Sequence, residues 1–161
     1  MNCFIREIED EELSISTQVI RLSFLTVTRE FNLTKKNCPT NGAFIETERL
    51  IKDKARGIKM FGLFTDNIQI GFVAIVKQDD DTYEMEKLSV LPEYRHNNYG
   101  KVLINYVKNY VKSLNGNVIR IGIIEENRIL KQWYLSHGFI EKETRNFSQL
   151  PFTVGFMELT L

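Results

Sequence analysis

Cysteine is scarce, with Cys3 and Cys38 the only two in 161 residues. Two thiols are too few for a disulfide framework or a cysteine-rich zinc site, so no metal is expected and both read as buried or idle. Histidine is equally rare, and neither His96 nor His137 is well placed for a catalytic base. Net charge is absent too: 21 Lys plus Arg balance 21 Asp plus Glu. A protein whose partner is a nucleic-acid backbone needs a basic footprint, so that function class is disfavoured. No apolar run approaches the roughly 18 residues of a membrane span. The opening "MNCFIREIEDEEL" carries acidic residues where a signal peptide needs an apolar core, which predicts a cytoplasmic protein. Repeats, low-complexity segments and linkers are missing as well, and the length suits one domain over 1–161.

What is present is strong periodicity. "FIREI" reads as an opening strand, and Leu13, Ile20, Phe24, Val27 and Phe31 then recur at helical steps. "KKNCPTNG" breaks that helix, and "ETERLIKDKARG" predicts a second, more exposed one ended by Gly57. "KMFGLFT" and "IQIGFVAIVK" are joined by "DN" as a hairpin, and "QDDDT" turns the chain into "YEMEKLSV". The result is an antiparallel meander of three strands. The stripe from Tyr99 through Val111 to Leu114 is the cleanest helix, closed by Asn115-Gly116. "VIRIGII" reads as a strand covered on both faces, and strand–helix–strand in this order predicts a right-handed crossover with a parallel pair. "ENRILKQWYLSHG" is a last helix before strands at "FIE" and "VGFMELTL". The expected fold is mixed α/β, a central, mostly antiparallel sheet with one parallel pair, flanked by about four helices.

The most informative stretch is "VLPEYRHNNYGKVLINYV". It puts Arg95, His96, Asn97, Asn98, Tyr99, Gly100 and Lys101 between a strand and a helix. A helix mouth carries unpaired N–H groups and a partial positive charge, which after a strand and short loop makes a phosphate cradle. Gly100 permits close backbone approach, and Arg95, His96 and Lys101 can add charge. Neither a P-loop nor a three-glycine dinucleotide fingerprint is present. The plainer reading is an asparagine-capped helix after a polar loop.

The stretch resembles the acetyl-CoA-binding motif of the GNAT superfamily of N-acetyltransferases: Arg or Gln, two residues, Gly, one residue, then Gly or Ala. Arg95, Asn98 and Gly100 occupy the three marked places. "ENRILKQWYLSHGF" is similar to a second family motif, in which Asn opens a helix and Tyr precedes Gly-Phe. The order of elements matches over nearly the whole chain. Asn98 departs from the usual glycine; if the position is left-handed, Asn is the least costly alternative, and its side chain could cap the helix.

The resemblance implies transfer of an acetyl group from acetyl-CoA to a primary amine, with no metal. It places the pyrophosphate on the amides of 95–101, the pantetheine arm along Leu88, Ser89 and Val90 where that strand splays from "VIRIGII", and a further contact at Asn127. Tyr134 falls at the position of the acid that stabilises the leaving thiolate. A phenol near 10 protonating a thiolate near 8.5 is uphill by about 1.5 units, so hydrogen bonding is the expected role. The base is expected at Glu86, with Glu84 on the same strand face as the alternative. A regular strand would put Leu88 and Val90 on that face too. Duller readings accompany each: Tyr134 as core, Asn127 as a cap, the glutamates as an exposed pair. Phe44 and Phe152 are expected to line the acceptor wall. The partner is a small-molecule or peptide amine, the chain a monomer or homodimer, and the rival function a non-catalytic acetyl-CoA sensor.

Overall fold

The structure, a computed structural model, describes residues 2–161. Strand β1 (Cys3–Glu7) leads through a short 3-10 turn into helix α1 (Leu13–Glu30), and helix α2 (Thr47–Ala55) follows a second such turn. Strands β2 (Lys59–Thr65), β3 (Ile68–Lys77) and β4 (Thr82–Val90) form the antiparallel meander read from the sequence. The β2–β3 hairpin turns on Asp66 and Asn67, both left-handed at φ 50° and 62°, the pair of angles a type I′ turn demands. At the next turn Asp79 accepts hydrogen bonds at 2.8 Å from the N–H groups of Asp81 and Thr82, the local closure that suits aspartate to turns.

Helix α3 (Tyr99–Ser113), strand β5 (Val118–Ile124), helix α4 (Arg128–Ser136), and strands β6 (Ile140–Asn146) and β7 (Thr153–Thr160) complete the chain. Among the described residues the strands make one sheet in the order β1-β2-β3-β4-β5-β7-β6. Only β4 and β5 run parallel, and they pair over just three positions, from Thr82–Val118 to Glu84–Arg120. Beyond them the two strands part. Among the described residues no other neighbouring pair of strands in the sheet is joined over so few positions.

Register fixes which side chains share a face. Phe61 packs against Tyr106 and Tyr110 of α3 at centroid distances of 5.0 and 4.9 Å. On the opposite face Ser16 of α1 bonds Gln69 of β3 at 3.1 Å, both buried. The α3 stripe buries Leu103, Ile104, Val107 and Val111 as its spacing predicts. A second, smaller cluster joins Leu33, Cys38 and Ile124, with Phe31 and Phe152 packed on it. It folds the loop after α1 over the far end of β5.

One expectation fails at β5. Its odd-numbered isoleucines are buried, but Arg120 is only half-buried and Gly122 is exposed. The strand is fully covered on one face; on the other, Arg120 lies over the Phe156 ring of β7. An apolar run alone does not distinguish these cases. At the far edge, β6 is exposed at all seven positions.

Candidate active site

The mouth of α3 stands at the end of β4. Arg95 anchors it: its guanidinium donates to Val90 O at 3.3 Å, Thr26 Oγ1 at 3.0 Å and Ser23 O at 2.7 Å. These bonds tie the loop to α1 and to the end of β4. Burial lowers the Arg95 pKa from its usual value, with Glu93 opposing. Arg95 therefore braces the loop from behind, whereas the sequence alone suggested only a charge facing outward. His96 and Lys101 are exposed at the rim.

His96 and Asn98 both adopt φ 63°. Left-handed backbone at Asn98 meets the expectation for the family's glycine position; at His96 it had no sequence signal. The proposed cap does not form, since the Asn98 side chain makes no capping bond. Asn97 instead donates to Tyr94 O and Arg95 O at 3.2 and 3.0 Å. Left-handed turns at 96 and 98 aim successive N–H groups outward, as in an anion-binding nest. Among the described residues, no protein acceptor pairs with the backbone N–H of 96–101; the first bonded N–H is Val102, to Asn98 O at 3.1 Å. That row of donors fits a diphosphate. Tyr99 can contribute only backbone, because its ring is buried against Tyr94.

Gly100 has a different reason from the one its motif suggests. A Cβ there would lie 2.8 Å from the Trp133 indole. The residue keeps α3 close to α4, and through α4 it sets the placement of Asn127 and Tyr134. Asn127 is the N-cap of α4, accepting from Leu130 N–H at 3.2 Å. Its capping role is observed.

Tyr134 is buried with its ring edge-on to Trp133 and Phe139. Among the described residues its hydroxyl has no hydrogen-bond partner. Burial pushes the phenol well above its ordinary pKa, so it stays protonated as a donor. The shift runs opposite to what full proton transfer to a thiolate would need.

Strand β4 is not regular. Phe72 pairs with Ser89 but Ala74 pairs with Glu86, so two residues, Lys87 and Leu88, oppose one on β3. Lys87 sits at φ 54° and Ser89 Oγ donates to Lys87 O at 2.9 Å. This β-bulge reverses the alternation of side chains. Glu84 and Glu86 share the α1/α2 face with Ser89, while Val90, paired with Gly71, lies on the other face. The single face expected for the glutamates and Val90 is thus broken by the extra residue. The 85–90 edge has no ladder partner on β5, whose pairing stops at Glu84.

Glu84 accepts from Gln78 Nε2 at 2.9 Å. Its pKa is raised, first by burial and next by the Glu86 carboxylate, with Arg120 opposing. Glu86 pairs with the Lys87 ammonium at 3.2 Å, and Lys87 approaches the buried Asp53 of α2 at 4.0 Å. Arg120 is held by Glu158 at 2.9 Å and Glu143 at 3.0 Å. Sequence reading missed Lys87, Asp53 and Arg120, because nothing local marks a charge that pairs across the fold. Phe44 and Phe152 fall on either side of Leu33: Phe44 lines a cleft of about 480 Å³ with Leu25 and Leu33, and Phe152 packs on the Leu33–Cys38–Ile124 cluster. Among the described residues no three His, Cys, Asp or Glu side chains group as metal ligands, and no helix is long and apolar enough to cross a membrane.

An open parallel pair whose gap ends at a donor-lined helix mouth matches a known architecture. The chain belongs to the acetyltransferase (GNAT) family, whose profile matches residues 26–139, and it is an acyltransferase by that membership. Its fold is shared with the PaiA N-acetyltransferase of Thermoplasma acidophilum in complex with coenzyme A (21% identity, all of both chains, TM-score 0.84). It is also shared with the ribosomal-protein-S18-alanine N-acetyltransferase of Escherichia coli (13% identity, 99% of this chain and 94% of that one, TM-score 0.78). A spermidine N-acetyltransferase chimera from Vibrio cholerae and hSSAT is similar at 16% identity, over 99% and 96% of the two chains, with TM-score 0.74. No curated protein matches the sequence significantly.

Proposed function

We propose that the chain transfers an acetyl group from acetyl-CoA to a primary amine by direct attack within a ternary complex. The carrying observation is the row of uncommitted N–H groups at 96–101, standing where the unpaired edge of β4 ends. Together they offer a diphosphate site and a slot for an extended arm. In this reading the amides of 96–101 bind the pyrophosphate, and the 88–90 backbone holds the pantetheine, with Asn127 at its far side. An N–H of Leu88 or Val90 faces the charge that develops on the thioester oxygen, the preorganised donor such a reaction rewards.

The acceptor meets the glutamates. An alkyl ammonium with pKa about 10.4 is almost wholly protonated at neutral pH, so a base must take one proton before attack. The Glu84–Glu86 pair is that base. The freed nitrogen lone pair bonds to the acetyl carbon as the C–S bond breaks, and the second N–H proton goes to the departing thiolate. Tyr134 donates its hydroxyl hydrogen bond to that sulfur. The acceptor enters past the cleft beside Phe44 and Leu33, and is a small-molecule or peptide amine. The proteins named above act on a ribosomal-protein alanine in one case and on spermidine in another, so the fold takes either.

The test is thiol release from acetyl-CoA across a panel of amines, corrected for hydrolysis, with wild type beside Tyr134→Phe. Wild type is expected to show amine-dependent release. Tyr134→Phe should lose about a hundredfold in turnover, the usual size of such a contribution, with acetyl-CoA affinity and melting temperature held because the hydroxyl has no partner to lose. No amine-dependent release from wild type, with acetyl-CoA bound tightly, would favour the non-catalytic binder instead.

A further inference from the structure

Lys87 is an outlier with no local excuse. A non-glycine residue in left-handed backbone carries strain, and a bulge of this kind ordinarily takes glycine at that position. Strain retained at a side chain that pairs with two carboxylates points to a use for the side chain. The bulge turns Lys87 so that its ammonium lies between Glu86 on its own strand, at 3.2 Å, and Asp53 on α2, at 4.0 Å. Asp53 is almost fully buried, at 1% exposure. It is fixed in turn by Arg49 at 3.0 Å and Arg56 at 2.6 Å. Lys87 is itself largely covered, its side chain 18% exposed. Such a pair is screened less than a surface one.

We propose that Lys87 is a positioning residue for acetyl transfer: its ammonium, anchored on Asp53, engages the Glu86 carboxylate and leaves Glu84 as the group that receives the acceptor amine's proton. The inference rests on the acetyl-transfer reading and goes beyond it by naming the device that separates two neighbouring carboxyls. Two like charges so close compete for one proton, and an unequal environment decides which takes it. The environment here is unequal on every side. Glu86 has Lys87 beside it, with Asp53, Arg49 and Arg56 of α2 behind. Glu84 has the neutral Gln78 amide at 2.9 Å. Arg120 on β5 and, more weakly, Lys87 itself favour its charged form, but Arg120 is already paired with Glu158 of β7 and Glu143 of β6, and Lys87 makes its ion pair with Glu86. The proton that Glu84 takes from an ammonium acceptor passes to solvent after the acetyl–nitrogen bond has formed and the thiolate has gained the second proton.

Lys87→Gly provides the test, because glycine suits the backbone angle and removes only the charge and its stem. Melting temperature is expected to stay equal or rise. Removing a cation disfavours the carboxylate form, so the acid limb of the turnover–pH profile should move to higher pH by roughly 0.5–1 pH unit. Lys87→Arg keeps the cation and should keep the wild-type profile. Lys87→Asn is a second uncharged variant that tolerates the same φ. Carboxyl NMR titration of the Glu84–Glu86 pair reads the same change without turnover, and its midpoints should move upward in both uncharged variants. Unmoved carboxyl titrations in Lys87→Gly and Lys87→Asn would overturn the assignment. Absence of amine-dependent thiol release in wild type would instead overturn acetyl transfer, with the titration still deciding whether Lys87 controls the pair.

Discussion

Helices α3 and α4 both begin on an asparagine, and they begin in opposite ways. At α4, Asn127 folds its side chain back to accept from Leu130 N–H, closing the helix on itself. At α3, Asn98 is left-handed, makes no capping bond, and leaves the first turn's donors open. The same residue type therefore finishes one helix and exposes the other. The difference lies in backbone: Asn127 caps from a negative φ of −80°, whereas Asn98 is left-handed at 63°. An asparagine in the left-handed region spends its tolerance of that angle on aiming amides outward instead. A closed mouth uses its own donors; an open one leaves them for a ligand.

Three substitutions would break or sharpen this contrast. The largest effect is expected at Gly100, where the two helices touch. Gly100→Val drives a branched side chain into the Trp133 indole and should cost about 1–3 kcal/mol, the range for overpacking. By shifting α3 against α4 it should also weaken acetyl-CoA binding. Thermal melts and titration calorimetry check both, and unchanged affinity would sink the diphosphate assignment to this mouth. Asn127→Ala comes next. It removes a bond that is present, so stability should fall by about 1 kcal/mol, visible as a lower denaturant midpoint at constant slope. Asn98→Gly is the smallest. There is no cap to lose and the angle suits glycine, so stability should change by no more than about 0.5 kcal/mol and acetyl-CoA affinity should hold or improve. A loss at Asn98 as large as at Asn127 would mean that its side chain does contribute at the mouth, and the contrast would fail.

Much of the fold was legible because its signals are local. Asp66-Asn67 announce a hairpin by themselves, the stripe through Leu103, Val107 and Val111 announces a helix, and Gly57 and Gly138 mark helix ends with positive φ. The left-handed angle at Asn98 was legible as well, as a polar residue standing in a glycine's place. What stayed hidden was set at long range. Gly100 meets Trp133 only after β5 has intervened. Arg95 finds its acceptors on α1, some seventy positions earlier. No glycine marks Lys87 as the place of the bulge that the family resemblance allows in this strand, and its consequence, a reversal of facing after Glu86, appears only once β3 is alongside. The half-open face of β5 was misread for a related reason. Every isoleucine of the strand is buried, so the run reads as core, and only Arg120 and Gly122 between them hint at the uncovered face.

The edge strand β6 bears on how this protein behaves in company. A terminal strand with a free row of N–H and C=O groups is an invitation to any extended chain that drifts past, including another copy in the course of folding. Here all seven residues of that strand are exposed, and Glu141, Lys142, Glu143 and Arg145 make most of it charged. The ladder to β7 also slips by one residue between Glu141 and Glu143, so the edge is not a straight template. A strand docking there would have to strip water from both signs of charge along an irregular rail. Growth of the sheet through this edge is thereby disfavoured.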